Sequence, residues 1–129
     1  MLRVLRYRHL WLGAGVAALC LILLLSMIPM KGPAPFDLSD KLLHFLAFVF
    51  LTLWFMGVFV PAAAPRIAAA LAGYGLLIEL LQSLTPTRMA EPLDVVSDLA
   101  GILAGWALAA AGLHQWCGRL EALIGVPPR

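Results

Sequence analysis

The stretch that decides the fold is residues 42–60, LLHFLAFVFLTLWFMGVFV. It contains no Asp, Glu, Lys or Arg, and its apolar residues follow one another without the alternation of a membrane-barrel strand. At a rise of about 1.5 Å per residue, a helix of this length crosses the roughly 30 Å hydrocarbon core of a bilayer. The stretch therefore predicts a transmembrane helix.

Three more segments share this character, at residues 10–28, 67–84 and 95–113. The third span contains one charged residue, Glu79, and the fourth contains one, Asp98. Short, proline-containing connections favour antiparallel neighbours. We therefore predict an all-α fold, an integral membrane bundle of four antiparallel transmembrane helices that forms one domain over residues 1–129.

The composition excludes several classes of protein. Hydrophobic residues make up 63% of the chain and charged residues 12%, against about 45–50% and about 25% in an ordinary soluble domain. A disordered chain would be more polar, and a nucleic-acid-binding domain would present a basic surface. Membrane lipids are the expected partners, with no nucleic acid, and the sequence leaves the oligomeric state open.

The distribution of Lys and Arg predicts the orientation in the membrane, because cytoplasmic loops are enriched in these residues. Both termini are predicted to be cytoplasmic, in the cytoplasmic membrane of a bacterium. The segment after Leu113 is expected to be a short amphipathic tail at the interface. The charges at the cytoplasmic end of the bundle are expected to be scattered. The cytoplasmic side then has six basic residues and the outer side three: Arg3, Arg6, Arg8, Arg66, Arg119 and Arg129 against Lys31, Lys41 and Arg88.

Polar residues gather at the predicted outer end of the bundle. Several are spaced i,i+3 or i,i+4, which places them on one face of their helix, and the face of Asp98 continues into Gly101 and Gly105. Polar side chains inside a membrane are costly and typically mark function. The predicted ligand-binding cluster comprises Asp40, Lys41, His44, Glu79, Gln82, Arg88, Asp94 and Asp98.

Each of these residues also has a simpler interpretation. Asp40 and Asp94 could serve only as N-caps. Lys41 could extend its ammonium group to the interface, and His44 could be an ordinary interfacial hydrogen-bonding residue. Glu79 could belong to a purely structural ion pair. The sequence leaves these alternatives open.

Four elements in order resemble the VanZ-like family. They are Asp40-Lys41-Leu42-Leu43-His44-Phe45 entering one span, Glu79-Leu80-Leu81-Gln82 near the end of the next, Thr85-Pro86-Thr87-Arg88 in the loop, and Asp94 ahead of Gly101 and Gly105. The resemblance covers residues 37–105, with the first span as the family's leader helix. At Asp98 the family typically has Asn, so this chain carries an additional negative charge there.

The resemblance implies a membrane protein without an established molecular activity. The family is named for a protein linked to resistance to the glycopeptide antibiotic teicoplanin, so a role in resistance or envelope homeostasis is inferred by family alone.

The sequence contains no phosphate-binding loop, dinucleotide fingerprint, zinc-protease motif or serine-hydrolase elbow. His44, Glu79, Asp94 and Asp98 are conceivable metal ligands, but one histidine with carboxylates is a weak indication of a metal site. We therefore predict no metal and no cofactor.

Three hypotheses about the function remain. The first is binding of a lipid-linked or cell-envelope ligand at an outward-facing polar pocket, with Lys41, Arg88 and His44 meeting its phosphate or carboxylate groups. The second is a hydrolase or transferase on a lipid-linked substrate with His44 or Glu79 as acid or base, and the third is a structural or assembly factor. Whether the chain is an enzyme is left open, and no catalytic residue is assigned.

Overall fold

The computed structural model describes residues 1–29, 38–86 and 91–125. Within these ranges the chain is helical, without a β-strand beyond an isolated bridge between Leu2 and Phe59. Four helices are long and apolar enough to cross a membrane, which confirms the all-α prediction; the direction in which each crosses a bilayer stays a prediction. The helices are α1 (Arg8–Ser26), α2 (Leu38–Val58), α3 (Ala64–Ser83), α4 (Pro92–Ala110) and α5 (Trp116–Leu123), with short 3-10 turns at Pro61–Ala63 and Leu113–Gln115.

Each long helix begins a few residues before the span predicted from the sequence. The prediction counted uncharged residues, whereas α2 already includes Asp40 and Lys41, whose charges are matched inside the protein. Helix α4 begins at Pro92, because proline has no amide N–H to leave unsatisfied at the first helical position.

Helices α2 and α4 form the closest packing in the bundle. A Cβ atom added to Gly101 would lie 2.5 Å from the carbonyl oxygen of Phe45, and one added to Gly105 would lie 2.7 Å from the Cβ of Thr52. Small residues allow membrane helices to approach at this range. The apolar core extends from this contact to α3 and comprises Phe48, Leu51, Phe55, Leu71, Ile78 and Ile102.

The end of the bundle near the N-terminus contains an ordered polar centre around Glu121 of α5. Its carboxylate accepts hydrogen bonds from the backbone N–H groups of Arg6 and Tyr7 and from the indole of Trp11, each at 2.9 Å. These donors lie at the start of α1, whose N-cap Tyr7 makes no side-chain capping bond. Glu121 thus holds α5 against the start of α1, a role that the sequence did not predict.

A cluster of three indoles reinforces this end. Trp11, Trp54 and Trp116 lie with ring centroids 4.7–6.1 Å apart. Trp116 donates to the carbonyl of Leu53 at 3.0 Å and lies so close to Gly57 that an added Cβ would be 2.1 Å from its Nε1. Helix α5 is thus packed tightly on α2.

The α2–α4 contact predicts different effects for a glycine inside it and a glycine outside it. Gly101→Ala should lower the thermal unfolding temperature in detergent, since overpacking a close contact costs about 1–3 kcal/mol. Gly73→Ala is the matched control, because nothing lies within 4 Å of its added Cβ. That change should be neutral or stabilising by about 0.5–1 kcal/mol, as alanine suits a helix better than glycine. Equal losses for both variants would contradict the close-approach assignment.

The Glu121 centre predicts a pH dependence of stability. Burial by itself raises the pKa of this carboxyl, but the hydrogen bonds from Tyr7, Arg6 and Trp11 outweigh it and lower the pKa below its usual 4.5. Stability from the ionised group is therefore present above about pH 4.5 and is lost as the pH falls through the lower folded-state value. Glu121→Gln should remove this contribution, so the difference in unfolding temperature between wild type and variant should shrink below pH 4.5. A constant difference from pH 7 to pH 4 would contradict the assignment.

Candidate functional site

The close packing of α2 and α4 places polar side chains face to face at the opposite end of the bundle. Lys41 and His44 come from the first turns of α2, and Asp94 and Asp98 come from the first turns of α4. All four are less than 10% exposed. Their i,i+3 and i,i+4 spacings give each helix one polar face, and the two faces meet.

Lys41 pairs with two carboxylates, that of Asp94 in α4 and that of Glu91 at the N-cap of α4. Its Nζ lies 2.5 Å from Asp94 Oδ1 and 2.6 Å from Glu91 Oε2. The ammonium group points into the protein, so the interpretation of Lys41 as a residue reaching the interface is wrong.

Sequence reasoning missed Glu91, which it left in the connecting loop. The available signal was its position three residues ahead of Asp94 and directly before Pro92, a typical first helical residue. Glu91 is the N-cap residue of α4, so the interpretation of Asp94 as an N-cap is also wrong. Asp40 likewise lies inside α2, which begins at Leu38.

His44 is held between two aspartates. Its Nδ1 lies 2.8 Å from Asp98 Oδ1 and its Nε2 lies 3.8 Å from Asp94 Oδ2. With Asp98 ionised and the imidazole neutral, Nδ1 donates that hydrogen bond and Nε2 carries the acceptor lone pair. The second oxygen of Asp98 is buried, makes no hydrogen bond with the described residues, and lies against Gly75, where an added Cβ would be 2.7 Å away.

The two polar residues of α3 have different surroundings. Glu79 is 8% exposed and accepts a hydrogen bond from the backbone N–H of Glu91 at 3.1 Å, which joins α3 to the start of α4. Gln82 is fully buried and donates to the carbonyl oxygen of Ser26 at 2.9 Å, which joins α3 to the end of α1. Gln82 therefore serves helix packing here, at the same end as the carboxylates.

The structure thus joins most of the predicted cluster. Contacts lead from Glu79 through Glu91 and Lys41 to Asp94, His44 and Asp98, and Asp40 offers an oxygen within 4.8 Å of donor atoms of both His44 and Asp94. Arg88 lies outside the described residues. The role of these residues in binding a ligand stays a prediction.

A cavity of about 200 Å³ lies beside this cluster, between α1, α2 and α3. Ser26, Asp40 and His44 contribute its polar lining. The rest of its lining is apolar, from Ile22, Leu25, Leu43, Ala47, Phe48 and Ile78. His44 therefore faces the cavity as well as the carboxylates of α4.

Fold and site together define a small membrane protein of four spanning-length helices with a buried, mainly acidic polar cluster at one end. Residues 21–113 match the VanZ/LLP1 family, and the chain belongs to that family. The match extends from the second half of α1 through α4. No curated protein and no solved structure matches the chain.

The Lys41 ion pairs predict that replacing Lys41 causes a large loss of stability. A second substitution at Asp94 should recover part of that loss. Lys41→Met should lower the free energy of unfolding by about 3–5 kcal/mol, because it leaves the buried Asp94 carboxylate without its cation. The double variant Lys41→Met/Asp94→Asn should recover part of this loss, since it also removes one of the stranded charges. Denaturant titrations in detergent would measure both.

The matched control is Arg119→Met, which removes an exposed cation of α5 and should change stability by less than about 0.5 kcal/mol. Additive losses in the double variant would contradict direct coupling between Lys41 and Asp94.

Proposed function

We propose that this VanZ/LLP1 protein binds a lipid-linked envelope ligand in the cavity between α1, α2 and α3. The proposal rests on the lining of that cavity, which has an apolar part and a polar part. Apolar side chains from three helices form most of it, and Asp40, His44 and Ser26 supply polar groups. An amphiphile with an apolar chain and a polar head has the same two-sided chemistry.

The charges of the cluster favour a particular kind of head group. Lys41 is already matched by Asp94 and Glu91, so its ammonium group is a poor candidate for binding a phosphate. Carboxylates and a histidine are acceptors for hydroxyl and amide N–H donors. We therefore favour a head group rich in such donors, a lipid-linked sugar, with Arg88 as the sequence-based candidate for any phosphate that joins sugar and lipid.

The size of the cavity limits what it holds. Pockets that enclose a whole drug-sized ligand measure about 300–1,000 Å³, whereas this one measures about 200 Å³. It suits the segment where the head group joins the lipid chain, with the remainder of the chain in the bilayer. The proposed setting is the cytoplasmic membrane of a bacterium with both termini cytoplasmic, which puts the cavity at the outer leaflet. Such a ligand would connect the chain to envelope homeostasis or to the glycopeptide resistance for which the family is named.

Filling the cavity should weaken this binding. Ala47→Phe introduces a ring into the lining, and the dissociation constant for a polyprenyl-diphosphate-linked amino sugar in nanodiscs should rise at least tenfold, about 1.4 kcal/mol. Ala107→Phe, at an exposed position on α4, is the matched control and should bind like wild type. Native mass spectrometry with phosphatidylcholine as the competing lipid would measure retention of the sugar lipid.

Two results would contradict this prediction. One is wild-type binding by a folded Ala47→Phe variant, and the other is equal loss in the Ala107→Phe control. Asp40→Asn gives a second test if Ala47→Phe lowers the unfolding temperature, because it changes a polar group of the lining without changing volume. It should weaken retention of the sugar lipid relative to a polyprenyl phosphate that has no sugar.

The paired His44 and Asp98 favour a second candidate function, a hydrolase or transferase on the same class of lipid. A carboxylate that fixes the tautomer of a histidine at the edge of a cavity is the arrangement of a general base. Glu79 is absent from the cavity lining, so His44 is the better candidate for acid–base chemistry. Turnover of the sugar lipid by wild type, abolished in His44→Gln, would favour the enzyme over the binding protein.

A further inference from the structure

We infer that Asp40, His44 and Asp94 form a binding site for one divalent transition-metal ion. Each of the three residues offers a donor atom, and these atoms lie within 4.8 Å of one another. The site goes beyond the proposed lipid binding and does not depend on it. One imidazole nitrogen with carboxylate oxygens suits Zn²⁺ or Mn²⁺, since imidazole favours Zn²⁺ and carboxylates are also ligands for Mn²⁺.

The orientation of His44 is the first argument. Its side chain is more than nine-tenths buried, and Nδ1 is fixed by Asp98 at 2.8 Å. Nε2 makes no hydrogen bond with any described residue and faces Asp94 Oδ2 at 3.8 Å, too far for a hydrogen bond. Two donors each about 2.0–2.2 Å from a shared ion are at most about 4.0–4.4 Å apart. In the neutral ring, Nε2 and Asp94 Oδ2 are therefore close enough to share one ion.

The contact between Asp98 and His44 is the second argument. A histidine that binds a metal almost always donates its other ring N–H to a carboxylate, a carbonyl or water, which fixes the ring and raises its basicity. Asp98 accepts from Nδ1 in this way and has no donor atom in the group of three. Asp98 is therefore a positioning residue for the proposed site.

The third argument is that the two carboxylate oxygens of Asp94 face different partners. Oδ1 accepts from Lys41, whereas Oδ2 faces His44. Lys41 therefore does not occupy the oxygen that the ion would use. The described residues of this end carry five carboxylates, two of which pair with Lys41: Asp40, Glu79, Glu91, Asp94 and Asp98.

The site is open to the cavity, because Asp40 and His44 line it. Three protein ligands leave at least one coordination position of a Zn²⁺ ion for water or another oxygen ligand. An ion held here would lie at the polar lining of the cavity and add a positive charge next to its carboxylates.

Metal titration of lipid-free protein tests this proposal. The full chain, purified in detergent without a polyhistidine tag and stripped with a chelator, should bind one Zn²⁺ per chain by isothermal titration calorimetry. His44→Ala and Asp94→Asn should each weaken binding at least tenfold. His9→Ala removes an exposed histidine of α1 and should bind like wild type.

The result for Asp98→Asn separates positioning from general structure. This variant should keep one site per chain with an affinity about 10–100-fold lower, the usual cost of losing an outer partner of a metal-bound histidine. X-ray absorption at the zinc edge should show one imidazole and otherwise oxygen ligands in wild type and in Asp98→Asn. That signature reads the coordination directly and does not depend on how stable the variants are.

Absence of saturable Zn²⁺ binding by wild type would overturn the proposal. So would wild-type affinity in folded His44→Ala, equal loss in His9→Ala, or a zinc edge without imidazole. These measurements use no lipid, so their failure leaves the sugar-lipid proposal standing, and failure of sugar-lipid binding leaves the metal site standing.

Discussion

The close approach of α2 and α4 is the constraint on which the polar end depends. Gly101 against the Phe45 carbonyl and Gly105 against Thr52 bring the two backbones together. One to two turns away, that approach places Lys41 at 2.5 Å from Asp94 and His44 at 2.8 Å from Asp98. In a medium where an unmatched charge costs several kcal/mol, these contacts make charged residues tolerable within spanning-length helices. A larger residue at Gly101 would separate the pairs as well as the backbones.

The two ends of the bundle use buried carboxylates in different ways. Glu121 accepts three hydrogen bonds from the start of α1, so every one of its contacts fixes α5 against that end, with the three indoles packed beside it. At the other end Lys41 pairs with Asp94 and Glu91, whereas one oxygen each of Asp98 and Glu79 has no hydrogen-bond partner among the described residues. A centre whose hydrogen bonds all hold helices together is suited to structure. A centre with acceptors in excess and a cavity beside it is suited to binding donors or a cation.

Much of the fold follows from the sequence, because continuous apolar runs and their length indicate membrane helices without reference to tertiary contacts. The same holds for the gathering of Asp40, Lys41, His44, Asp94 and Asp98, since helical spacing decides which residues share a face. Glu91 was missed because the apolar run that defined the fourth span began after it, whereas the helix begins with the proline next to it. The contacts of Glu121 with Arg6 and Tyr7 join residues more than a hundred positions apart, and no local pattern encodes such a contact. The sequence predicted an outward-facing polar pocket but not the position or the mainly apolar lining of this cavity, because these depend on how three helices diverge.

Asp98 is the position where the resemblance predicts that this chain departs from the family pattern. An Asn at this position, typical of the family, could accept the Nδ1–H of His44 through its amide oxygen and fix the same tautomer. It would not supply negative charge, so the imidazole would be a weaker base and a weaker metal ligand. The carboxylate has a cost, because its second oxygen is buried against Gly75 without a described hydrogen-bond donor. A charge retained at that cost is most readily explained by a positive partner at His44, whether a proton held by the ring or a metal ion bound at Nε2.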